Sequence, residues 1–75
     1  MQAVWIDVRD APATAAGWYA TVSCWDPHEG LFPGAHYWNG RQWAHGPAIV
    51  RRSPHPFETE ASATQYARDH DPERL

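Results

Sequence analysis

The dipeptide Asn39-Gly40, set between Tyr37-Trp38 and Arg41-Gln42-Trp43, restricts how this chain can fold more than any other feature. A type I′ turn needs positive φ at both central positions, which Asn-Gly supplies at low cost, so the pair predicts a two-residue loop and a β-hairpin. That register sets Trp38 opposite Arg41 and His36 opposite Trp43, with these four side chains on one face and Tyr37 and Gln42 on the other.

The flanking sequence offers further strands. Val4, Ile6 and Val8 alternate with Trp5, Asp7 and Arg9, the period of a strand with one face against a core. Asp10 to Ala16, with Pro12 and small residues, reads as a connection. From Gly17 to Asp26, Trp18, Ala20, Val22 and Cys24 alternate with Tyr19, Thr21, Ser23 and Trp25, giving a long strand with an inner face. Asp26-Pro27-His28-Glu29-Gly30 has turn chemistry and Pro33-Gly34 adds a second break, which leaves Leu31 and Phe32 in a loop between them. Ala48 to Arg52 reads as a short last strand, ended by Ser53-Pro54-His55-Pro56. The period then changes: Thr59 is an N-cap, Glu60 complements the helix dipole, and Ala63, Tyr66, Ala67 and His70 recur at helical spacing, giving about three turns that end before Asp71-Pro72. The expectation is an α+β fold, a small antiparallel β-sheet of four to five strands with one C-terminal helix, forming a single domain over residues 1–75.

A chain of 75 residues has room for one core. A domain near this size buries only about 60% of the surface its unfolded form exposes, so its stability must come from effective residues. Five tryptophans, three tyrosines and two phenylalanines predict a core built from rings. They are also plentiful for so small an interior, and tryptophan and tyrosine are common interface anchors, so some of them are expected to face a partner.

The formal charge of -3, with no lysine and six arginines scattered except for the Arg51-Arg52 pair, argues against direct nucleic-acid binding along a phosphate backbone and favours a partner with a basic surface. Cys24 is the only cysteine, so no intramolecular disulfide can form. The chain shows neither an export signal pattern nor an apolar run near 18 residues. Together these predict a cytoplasmic protein with no membrane association.

Candidate chemistry is sparse. The hairpin would bring His36 and His45 near one another, but two histidines are too few for a structural zinc site, and neither a metal nor another cofactor is expected. Cys24 shares a predicted face with Trp18, Ala20 and Val22, which points to an inert core thiol rather than the nucleophile of a cysteine-dependent enzyme. No catalytic residue is assigned. Trp38, Arg41 and Trp43, with Arg51 and Arg52, form the alternative reading, a platform on which single-stranded bases could stack.

The opening Trp5-Ile6-Asp7-Val8-Arg9-Asp10-Ala11-Pro12, then Gly17-Trp18-Tyr19, then Tyr37 to Trp43 cover about half the chain and resemble small tryptophan-rich accessory domains of unknown function encoded by phages and prophages. Such domains often finish with a tryptophan and a proline-rich tail, where this chain has a helical pattern. The resemblance implies a phage accessory protein that acts in the host cytoplasm by occupying a surface on a host complex, such as a CRISPR effector or other nucleic-acid-handling machinery. The expected function is therefore a non-enzymatic, protein-binding inhibitor. Trp25, Phe32 or Trp38 would supply the apolar anchor, and Asp26, Glu29, Glu58, Glu60, Asp69 and Asp71 would meet a basic protein or ribonucleoprotein. Self-association as a homodimer through exposed aromatics is left open.

Overall fold

The computed structural model describes residues 4–24, 30–44 and 48–71. Over these residues the chain forms β1 (Ile6–Asp7), β2 (Gly17–Cys24), β3 (Phe32–Trp38), β4 (Ala48–Arg52) and α1 (Glu60–Asp69). The strands make one antiparallel sheet in the order β1-β4-β2-β3, and α1 lies against β2 and β3. The expected small α+β architecture is the one observed.

β2 is the centre of the sheet, paired with β3 from Gly17 to Ser23 and with β4 from Thr21 to Cys24. Tyr19 through Ser23 are all buried, so both of its faces are covered. The ladder to β4 slips between Val22 and Ser23: Val22 faces Arg51 and Ser23 faces Ile49, which leaves Val50 as an extra residue. The Val50 carbonyl instead accepts the Val8 N–H.

β1 is shorter than the alternation from Val4 to Val8 predicts. The Asp7 carboxylate accepts the Arg9 N–H at 2.8 Å, and the Asp7 carbonyl accepts the N–H groups of Asp10 and Ala11, both at 3.1 Å. A local turn thus takes the backbone groups that a longer strand would have offered its neighbour.

The hairpin forms, but in another register. Trp38 faces Trp43, the Asn39 N–H donates to the Gln42 carbonyl, and the Ala44 N–H donates to the Tyr37 carbonyl. Residues 39–42 make a four-residue loop, and His36 faces Tyr19 of β2 rather than Trp43. The cause is the Asn39 side chain, whose Oδ1 accepts the N–H groups of Arg41 and Gln42 at 2.8 and 2.9 Å. Gly40 takes φ +100°, whereas no described non-glycine residue has positive φ, so the double positive φ of a type I′ turn is absent.

Phe32, expected in a loop, opens β3 opposite Ser23. Pro33 and Gly34, expected to break the chain, lie within that strand. Ala20 explains the tolerance: its N–H donates to Ser53 Oγ and its carbonyl accepts the Ser53 N–H, so its polar groups face away from β3. Its β3 partner Ala35 therefore also turns its own polar groups away, and Pro33, two residues earlier, does the same. Proline's missing N–H costs nothing on an outer edge.

The helix follows its sequence signals. Thr59 Oγ1 accepts the Ser62 N–H as N-cap, Glu60 occupies the first turn, and Ala63 and Ala67 are fully buried. The core is sealed by small side chains at its centre and walled by packed rings. Its fully sealed positions are Ala20, Thr21, Val22, Ser53, Ala63 and Ala67, and Tyr19 is the one aromatic residue among the described buried ones. The indoles of Trp5, Trp18, Trp38 and Trp43 are all partly exposed. They pack edge to face as a collar: Trp5 on Tyr66, Trp18 on Tyr37, and Trp43 on both Tyr19 and Trp38.

Candidate protein-binding surface

β3 is the strand that carries exposed rings. Phe32 at its start is 40% exposed and Tyr37 near its end 38%, on opposite faces because they stand five residues apart. The Tyr37 ring rests against Trp18 with centroids 5.4 Å apart, so it projects from a packed base. Between the two, a Cβ added at Gly34 would meet nothing within 4 Å, which marks open space over the Phe32 face of the strand.

His36, on the Phe32 face, is tied inward. One of its ring nitrogens, Nδ1, lies 2.7 Å from Oγ1 of the fully buried Thr21. Burial lowers the His36 pKa below its ordinary value, and the Glu60 carboxylate partly opposes that shift. Glu60 therefore stands within electrostatic reach of β3. Glu58 and Glu60 are both exposed and form no ion pair among the described residues, where Arg9 and Asp7 make an exposed pair at 3.5 Å.

The structure divides the expected binding residues. Phe32 is exposed as an anchor should be. Trp38 is half-buried against Trp43, and its Nε1 is sealed with no hydrogen-bond partner among the described residues, so it serves the fold more than an interface. Glu58 and Glu60 flank the start of α1, while Asp69 ends the helix and Asp71 follows it. A rise of 1.5 Å per residue separates those two pairs by about 15 Å. Trp25, Asp26, Glu29 and His45 lie outside the described residues. Tyr37 was missed because the expected register treated it only as the far side of a hairpin.

Arg52, part of the stacking alternative, is turned inward. It is 8% exposed, donates from Nε to the Ala11 carbonyl and from Nη1 to the carbonyls of Ser53 and Pro54, and lies 5.8 Å from the Tyr19 ring centroid. Its charge is spent on the protein's own backbone. Arg41 is exposed, but Trp38 and Trp43 pack on one another at 62° rather than forming an open platform. Cys24, expected as a sealed core thiol, is partly exposed because it ends β2.

Among the described residues, no group of three or more histidine, cysteine, aspartate or glutamate side chains is placed to hold a metal ion. An open depression along α1, lined by Glu60, Ala61, Thr64, Gln65 and Arg68, lies wholly on the outer flank of the helix and encloses nothing. No helix among the described residues is long and apolar enough to cross a membrane. Comparison with protein-family models, with curated proteins and with solved structures finds no match for this chain.

Proposed function

We propose that this chain is a non-enzymatic protein-binding module. The observation that carries this reading is ring surface left uncovered on one strand: Phe32 and Tyr37 of β3 both stand exposed, while small side chains seal the most deeply buried positions. An exposed ring propped by a second ring loses little conformational freedom on binding, which is what an interface anchor requires. The resemblance to phage-encoded accessory domains supports a more specific role, that of an inhibitor occupying a basic surface on a host defence complex, such as a CRISPR effector, or on another nucleic-acid-handling complex. Glu60, which acts on His36 of β3, and the exposed Glu58 fit a basic target, and acidic groups there would speed encounter with it.

Retention on immobilised protein from a bacterial host lysate tests this. Wild-type protein is expected to hold a stoichiometric partner, and a doubly substituted Phe32→Ser/Tyr37→Ser variant with an unchanged fold is expected to release it. If wild type holds no stoichiometric partner, or if the variant holds the same one equally well, the reading fails.

A further inference from the structure

The outer edge of β3 has an unusual distribution of backbone groups. Trp38 and Trp43 form a bridge in which the Tyr37 carbonyl and the Asn39 N–H point to residues 42–44, so the odd-numbered residues of β3 face outward. The engagement of Ala20 with Ser53 leads independently to the same assignment for Ala35. The edge thus offers the Ala35 N–H, the Ala35 carbonyl and the Pro33 carbonyl, none of them bonded within the described residues. It closes at Tyr37, whose carbonyl already accepts the Ala44 N–H at 2.8 Å. β3 itself bears no Asp, Glu, Lys or Arg, the charged side chains that commonly guard an open edge.

We propose that this edge is a docking strand for an extended, lysine- or arginine-bearing segment of a partner protein, an inference that rests on the protein-binding reading above. Added antiparallel, such a segment exchanges both backbone hydrogen bonds with Ala35 and donates a third to Pro33. Gly34 leaves room on the Phe32 face for an incoming side chain. Charge selects the segment: Glu60 acts electrostatically on His36 of this strand, and Glu58 stands exposed two residues before it, both without an arginine partner among the described residues. A second copy of the chain is a poorer occupant, because pairing over so short an edge would bury far less than the roughly 1,200 Å² that stable interfaces need.

The test is an amide chemical-shift titration of the whole chain with three synthetic heptapeptides: alternating lysine and valine, the same peptide with alternate backbone nitrogens methylated, and alternating glutamate and valine. The lysine peptide is expected to shift and protect the Ala35 amide. Methylation is expected to weaken binding at least tenfold and the glutamate peptide to show none. Ala35→Pro removes an outward N–H that β2 does not use and should weaken binding similarly, and Glu60→Gln should weaken it several-fold. Equal binding of all three peptides, shifts centred on Trp43 instead, or no binding at millimolar peptide would overturn the proposal. Shifts that follow protein concentration rather than peptide would assign the edge to a second copy and overturn it too. If Ala35→Pro still retains the lysate partner, the edge is excluded while the protein-binding reading stands.

Discussion

β2 and β3 lie side by side and are about equally long, yet one is the interior of this protein and the other its margin. β2 is paired on both sides and buried from Tyr19 to Ser23, so its side chains are fixed by packing. β3 is paired with β2 on one side, has an exposed ring towards each end, and includes a proline and a glycine that β2 could not accommodate as easily. In a domain with so little interior, one strand is held by packing on both sides, and its neighbour keeps two rings exposed.

Substitutions should separate the two strands by free energy. The largest loss is expected where β2 meets its supports. Arg52→Leu deprives the carbonyls of Ala11, Ser53 and Pro54 of a buried donor and should cost about 2–4 kcal/mol, read from the urea midpoint. Lysine should not rescue it, since the bonds come from the guanidinium fork. A loss under about 0.5 kcal/mol would mean that the site is wetter than described. Gly17→Ala, at the start of β2, should cost about 1–3 kcal/mol, because Gly17 takes φ +151° and an added Cβ would lie 2.8 Å from Pro56 Cβ. On β3 the same change reverses sign. Gly34→Ala meets open space without positive φ and should raise stability by about 0.4–1 kcal/mol by restricting the unfolded chain. Destabilisation at Gly34 would show that the Phe32 face of the strand is covered there.

The contact between the strands at Thr21 and His36 should respond to acid. Burial lowers the His36 pKa, so the unfolded chain binds the proton more readily than the folded one. Stability is then complete above the unfolded value near pH 6.5 and falls as the pH drops from there through the lowered folded value. Urea midpoints measured across that window should decline in wild type and decline less in His36→Gln. Identical profiles would remove His36 as the cause.

Much of the architecture was legible because local and tertiary preferences agree. Thr59, Glu60 and the spacing of Ala63 and Ala67 marked the helix, and alternation marked β2. The hairpin was legible as a reversal but not in register, because the Asn39 carboxamide bonds two following N–H groups and widens the loop. β3 was hidden behind Pro33-Gly34, whose meaning depends on which side of the strand is paired, a tertiary fact with no local signal. The expectation of a core built from rings holds for its walls and not for its centre, for a similar reason. Composition counts aromatic rings without showing that a helix presenting Ala63 and Ala67 and a strand presenting Ala20 can close a core of small side chains and leave the indoles around its rim. Surplus ring surface was the correct inference from the sequence, but Tyr37 and not Trp38 is its exposed bearer on this part of β3.

Residue-resolved amide hydrogen exchange tests the contrast between the strands most directly. The account predicts alternation along β3, with the His36 and Trp38 amides slow because they face β2, the Ala35 amide fast, and Tyr19 in β2 as slow as any in the protein. An Ala35 amide as protected as that of Tyr19 in the isolated monomer would contradict it, because the outer edge would then already be filled.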